Sequence, residues 1–291
     1  MFGETDIEAL RFSYESDLLK TFSARFGAVP LRGYYDAQNL LEARKRELLG
    51  DAVRVTDDLL PEVHQVYQDC LGVLGGNYAG DLFVRQSKEY NASVFALGRK
   101  FDVLINSALL NDFAIDELRF VLGHELGHVV FKHSQFPVHD ILTDKDGVSA
   151  EMANLLFRWS RASEVSADRV GLLCTGKLVS AVTALFRTSS GLSNIDENRV
   201  LRSFRRQYDD LEKHIREIDD SHSWIRTHPM MPIRFKAMEL AALDVVSLRQ
   251  QSKGFSWKGF RAIDRQIAFI LDALDADAAP SSGQLTFSAV V

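Results

Sequence analysis

An excess of basic residues, paired cysteines and long apolar runs are all missing from this chain. Lys and Arg number 34 against 40 Asp and Glu, giving a net charge of −6. The positive footprint of a nucleic-acid binder is therefore absent. The two cysteines, Cys70 and Cys174, stand alone in their segments, so no CxxC pair offers thiolate metal ligands. Both read as reduced, buried, small apolar residues, and a chain of 291 residues needs no cross-link between them. The longest weakly charged stretch, Val170 to Phe186, is interrupted by Lys177 and is short for a membrane span. The opening "MFGETDIEALRFSYESDLLK" has acidic residues where an export signal is basic, and it has no apolar run. These absences lead us to expect a cytoplasmic protein with no membrane span and no nucleic-acid partner.

What is present is ordinary globular composition, 46% apolar and 25% charged, with length enough for a sizeable core. Residues 5–60 are helical in character, with Gly50 as a stop after "DAQNLLEARKRELLGD". The stretch "PEVHQVYQDCLGVLGG" spaces Val63, Val66, Tyr67, Cys70 and Leu71 as one helix face. The period then changes. Residues 81–86, 93–99 and 101–110 are short and rich in Val, Ile and Phe, and they predict a small antiparallel sheet with a hairpin turn at Gly98. Helices are expected at about 114–132, 149–175 (in one piece or two), 177–187, 197–219, 232–249 and 257–275. The tail "DADAAPSSGQLTFSAVV" is expected to be poorly ordered or to add itself to a sheet as a strand. The fold class is α+β, predominantly helical. Its organisation reads as an N-terminal helical extension (1–80), a core (81–250) and a C-terminal helix with a tail (251–291), joined as one integrated domain.

The chemistry concentrates in "VLGHELGHVV", residues 121–130. His124 and His128 are four apart, so a helix projects both imidazoles from one face. Their nitrogens can then reach one ion. Glu125 lies about 100° away around the helix, where it can hold a water beside that ion rather than ligate it. This is the logic of HExxH, two ligands and a carboxylate base. Gly123 and Gly127 each cost a helix about 1 kcal/mol relative to Ala, so a neighbouring backbone is expected to pass close to both.

Catalytic zinc uses three protein ligands and one open position. The third is not a histidine six residues on, because position 134 is Ser. "RASEVSADRVG" offers a carboxylate pair instead, with Glu164 and Asp168 on one helical face. Glu164 can ligate, and Asp168 can accept a hydrogen bond from a ligand histidine. The small residues Ala162, Ser163, Ser166 and Ala167 allow this helix to approach the glycine-bearing one. His133 reads as a cap on the helix C-terminus, and His139 is a weaker candidate.

"DELRFVLGHELGHVVFKHS", "EVSADRVG" and "RTHPMMPIR", in that order, resemble the HtpX-like zinc metallopeptidases, which include the CAAX prenyl endopeptidases. The resemblance runs from about Asn91 to Ala241 and includes "NASVFALG", similar to the strand beside that family's cleft. It implies a zincin-like fold of the gluzincin type, with a small sheet whose edge strand receives substrate. One Zn2+ per chain would be held by His124, His128 and Glu164. Glu125 would be the general base, Asp168 would support a ligand histidine, His228 would lie over the zinc and Arg234 would support the site. The substrate, a peptide or unfolded protein, would extend along Ser93, Val94, Phe95 and Ala96. The expected function is zinc-dependent endopeptidase activity. His228 is either a stabiliser of the oxyanion or a fourth ligand that makes the enzyme latent. The rivals are an aminopeptidase and a noncatalytic zinc-containing module that holds chains as a chaperone does.

Overall fold

The computed structural model describes residues 4–27, 34–75, 78–136, 138–142, 148–215, 228–250, 257–275 and 284–285. The chain opens with α1 (Glu4–Glu8), α2 (Ser13–Phe26), α3 (Tyr34–Asp51), β1 (Val53–Arg54) and α4 (Pro61–Val73). The sheet strands β2 (Ala79–Arg85), β3 (Ala92–Leu97) and β4 (Lys100–Asn106) follow, then α5 (Ser107–Asp112) and α6 (Ile115–Val130). A 3-10 turn at His133–Gln135 leads to α7 (Val138–Leu142), β5 (Val148–Ser149) and α8 (Ala150–Thr175). The last elements are α9 (Leu178–Ser190), α10 (Glu197–Ile215), α11 (Met231–Arg249), α12 (Trp257–Asp275) and β6 (Gln284–Leu285). The fold is α+β and predominantly helical. Among the described residues no helix is long and apolar enough to cross a membrane.

The sheet differs from the antiparallel one expected. Its order is β1-β2-β4-β3, with β2 and β4 parallel and the other pairs antiparallel. The hairpin at Gly98 (φ 62°) forms as expected, but it returns β4 between β2 and β3 rather than beyond them. The reason lies in side-chain character. From Phe101 to Asn106 β4 is buried at every position, which suits a central strand. Every residue of β3 is half-buried, which suits an edge. β4 also stops four residues earlier than expected. The Asn106 backbone N–H donates to Asn91 O (3.0 Å) and its side-chain amide to Glu89 O (3.1 Å). The chain then coils into α5.

Two apolar cores meet on α8, which is one unbroken helix of 26 residues. It begins where Ser149 Oγ accepts from Met152 N (3.1 Å). Its first half packs Phe157 and Trp159 with Phe12 just before α2, Phe22 of α2, and Ile267 and Leu271 of α12. Its second half packs Leu172 and Leu173 with α4, α6, α11 and the sheet. Glu164 and Asp168 lie where the helix passes from one core to the other.

The close approach expected from the glycines is present. A Cβ on Gly123 would lie 2.6 Å from Cys174 Cβ, and one on Gly127 would lie 2.8 Å from Ala167 Cα. Gly171 of α8 reciprocates, because its Cβ would lie 2.8 Å from Phe120 O. The contact therefore uses Ala167, one of the small residues singled out from sequence, together with Gly171 and Cys174 further along α8. Cys70 and Cys174 are both free and buried.

Residues 284–285 pair antiparallel with Val148 and Ser149, so the tail does add a strand, just before α8. The rest of the tail, the end of the helix expected at 197–219, most of the loop 220–232 and the side chain of His139 lie outside the described residues.

Candidate metal centre

α6 supplies His124 and His128 from one face, and their rings stand edge to face with centroids 4.9 Å apart. Glu164 comes from the facing α8. His124 Nε2 lies 3.2 Å from His128 Nε2, and the two Glu164 oxygens lie 3.6 Å and 3.4 Å from those nitrogens. A tetrahedral ion with ligands at about 2.0–2.1 Å separates them from one another by about 3.3 Å. The observed edges match that spacing, so the three residues fit a metal ion. Among the described residues these three are the group whose donor atoms could hold one.

The support for His124 comes from α8 and α11. Its Nδ1 lies 3.0 Å from Asp168 Oδ1. A carboxylate only accepts, so Nδ1 carries the proton and Nε2 turns its lone pair toward the cluster. Arg234 holds Asp168 in turn, with Nε donating to Oδ2 (2.9 Å) and Nη2 to Oδ1 (2.6 Å). Burial works against ionised Asp168, but the Arg234 charge and the His124 hydrogen bond outweigh it and hold the pKa low. Glu164 is held well below the carboxylate range. Burial would raise it, but the charges of His228 and Arg234 outweigh that cost. His228 is more open to solvent, with a side chain 62% exposed, and its Nδ1 lies 3.2 Å from Glu164 Oε2.

The support for His128 departs from expectation. His133 is no helix cap. Lys132 adopts left-handed backbone (φ 59°), which costs a non-glycine residue about 1–2 kcal/mol. The turn ends α6 and folds His133 back beneath His128, with the two Nδ1 atoms 2.7 Å apart. On its other side His133 Nε2 faces Glu15 Oε1 of α2 at 3.3 Å. Neither residue stood out in the sequence. His133 carried a weak signal, five residues past His128, whereas Glu15 lies 113 positions upstream of His128 in an acidic stretch of ordinary appearance.

A cleft of about 540 Å³ opens over the cluster. His124, Glu125, His128, Glu164, His228 and Arg234 line its floor. One wall is β3, where Ser93, Val94 and Ala96 face the space. Phe95 does not line it. Its ring packs against α3 instead, 4.2 Å from the Arg44 guanidinium, on the face opposite Val94 and Ala96. Asn91, the first residue of "NASVFALG", also lines the cleft, as do Tyr90 before it and Leu185 and Thr188 of α9, which no motif marked.

A predominantly helical fold, a small sheet with one edge on the cleft and a His-His-Glu cluster on facing helices together define a zincin-like peptidase. The model of peptidase family M48 matches residues 59–143 and 138–242, and the chain belongs to that family. It is 28% identical over 171 residues to the plastoglobule-localized metallopeptidase 48, chloroplastic, of Arabidopsis thaliana. That alignment covers 55% of this chain and 49% of the relative, so the chain spans about half the relative's length. No solved structure matches.

Proposed function

We propose that this chain is a zinc-dependent metalloendopeptidase of the HtpX-like and CAAX prenyl endopeptidase type, acting on peptides or unfolded proteins. The observation that carries the reading is the tetrahedral spacing of the His124, His128 and Glu164 donors in a cleft that also holds Glu125. His124, His128 and Glu164 would hold one zinc ion, which would supply Lewis acidity toward water and a substrate carbonyl. Glu125 takes the proton from the attacking water and returns it to the leaving amine. His228, beside Glu164 at the open side of the cluster, donates to the carbonyl oxygen as it gains charge. Asp168 fixes the His124 tautomer, and Arg234 fixes Asp168. The substrate extends along β3, whose second edge carries no partner strand among the described residues, and pairs through backbone groups of Ser93 to Ala96. Phe95 contributes its backbone alone. Residues 1–80, 81–250 and 251–291 work as one unit. The proposed compartment is the cytoplasm, although a relative is named for plastoglobules.

Casein turnover by wild type and Glu125→Gln, with bound zinc measured in both, tests the reading. Wild type should bind one zinc and cut. The variant should bind equally and cut about 10²–10⁴-fold more slowly. If both hold zinc and neither cuts any polypeptide tried, the protein is a binding module. Turnover confined to substrates with a free amino terminus makes it an aminopeptidase.

A further inference from the structure

A metal-bound histidine is oriented through its other nitrogen, and the partner there also raises its basicity. For His124 that partner is Asp168. For His128 it is a second imidazole. The following rests on the proposed role of His128 as a metal ligand. With the Nε2 lone pair of His128 turned toward the cluster, its proton sits on Nδ1. That N–H donates to Nδ1 of His133 at 2.7 Å. His133 then carries its own proton on Nε2, facing Glu15 Oε1 at 3.3 Å. Under this assignment His128 and His133 share one hydrogen bond, and His133 Nε2 turns its N–H toward Glu15 Oε1 at 3.3 Å, close enough for the carboxylate to attract it but without an aligned hydrogen bond.

The far end of the series is built to stay ionised and still. Glu15 is fully buried and His133 is 7% exposed. Arg11 Nη1 donates to Glu15 Oε1 at 2.7 Å, and Ser166 Oγ donates to Oε2. Arg11 Nη2 also donates to Phe131 O (3.2 Å), and Phe12 N donates to Ser166 Oγ (3.0 Å). The start of α2, the end of α6 and the middle of α8 therefore meet at one carboxylate. Burial alone would raise the Glu15 pKa, but His133, Arg11 and Ser166 keep it below the usual range. Glu15 also lies outside residues 59–242, which the family model matches. The left-handed Lys132 that delivers His133 is the one non-glycine residue with positive φ among those described.

We propose that Glu15, acting through His133, is a positioning residue for the metal ligand His128, so that the N-terminal helix α2 completes the metal centre. The carboxylate orients the His133 ring, the ring fixes the His128 tautomer, and α2 thereby sets metal affinity.

The test measures zinc affinity by chelator competition on the full-length chain. The variants are Glu15→Gln, His133→Asn, both together, and Leu18→Ala as a control on the same helix. Leu18 is buried in the α2 core and takes no part in the polar series. Glu15→Gln and His133→Asn should each weaken zinc binding about tenfold or more. The double variant should lose no more than the weaker single, because both changes break one series. Leu18→Ala should lower Tm and keep wild-type zinc affinity. His133→Asn leaves Glu15 bound to Arg11 and Ser166, so it probes the link even if Glu15→Gln fails to fold. Wild-type affinity in His133→Asn, fully additive losses, or an equal loss in Leu18→Ala would overturn the proposal. His128→Ala separates this outcome from the larger reading. If wild type binds no zinc, or binds it unchanged after His128→Ala, the metal centre itself is wrong. If zinc is lost in His128→Ala but kept in Glu15→Gln and His133→Asn, only the role of α2 is wrong.

Discussion

The two histidines of α6 share one helical face yet rest on different supports. His124 leans on Asp168, one turn beyond Glu164 on α8, and Asp168 is gripped twice by Arg234. His128 leans on His133 and, through it, faces Glu15, on a helix outside the family match. The first support is short and carries full charges, and all of it lies within the matched region. The second is longer and passes through a neutral ring. It depends on a strained turn at Lys132. The family match contains the first support whole, and of the second it leaves out Glu15.

Asp168→Asn should produce the larger effect. It removes the negative charge that meets His124 and Arg234, and leaves the buried Arg234 with Glu164 as its nearest remaining carboxylate, at 3.4 Å. Breaking one partner of a buried ion pair costs about 3–5 kcal/mol, and zinc affinity should fall by about 10–100-fold. Urea unfolding of the zinc-free protein and chelator competition would read the two losses separately. Asp168→Asn should lose both stability and affinity, whereas His133→Asn should lose mainly affinity. If Asp168→Asn unfolds at wild-type urea, the two supports are more alike than their charges imply.

How far these supports were legible in the sequence follows the range of the forces. Spacing of four on a helix is local, so the facing pairs His124 with His128 and Glu164 with Asp168 were readable, as was the approach of a backbone to Gly123 and Gly127. Alternation identified three strands. It could not give their order, because burial of β4 on both faces depends on helices far away in sequence. The same limit applied to Phe95, whose face is set by which side of β3 meets α3. His133 looked like a helix cap because the left-handed turn at Lys132 leaves no trace in a sequence without glycine there. Glu15 had no readable signal at all. Its role comes from a contact with α8 and the 3-10 turn, more than 100 residues away along the chain.

Both supports presuppose that α6 and α8 stay at the separation the glycines allow, and Gly127→Ala tests this. The added Cβ would meet Ala167 Cα at 2.8 Å and Ala167 O at 3.2 Å. Both are backbone atoms that cannot swing aside, so the helices must part. Overpacking of this kind costs about 1–3 kcal/mol. Because Glu164 rides on α8, zinc affinity should fall along with stability. A Gly127→Ala protein with unchanged Tm would show that the helices separate freely and that their spacing does not hold the centre together.

The smallest effect should come from the same substitution on α3, and its sign should be opposite. Gly50 was read as a helix stop, yet α3 continues through it to Asp51. A Cβ there would meet nothing within 4 Å, and its φ is not in the left-handed region. Alanine therefore adds no clash in the folded chain and removes freedom from the unfolded one, a gain of about 0.5 kcal/mol. Thermal melts of Gly50→Ala and Gly127→Ala, with zinc removed from both, make the comparison direct. A rise for the first and a fall for the second would attribute the cost at Gly127 to the backbone of α8 rather than to helix propensity, because propensity favours alanine at both positions. Equal shifts of either sign would mean that the glycines of α6 are tolerated rather than required.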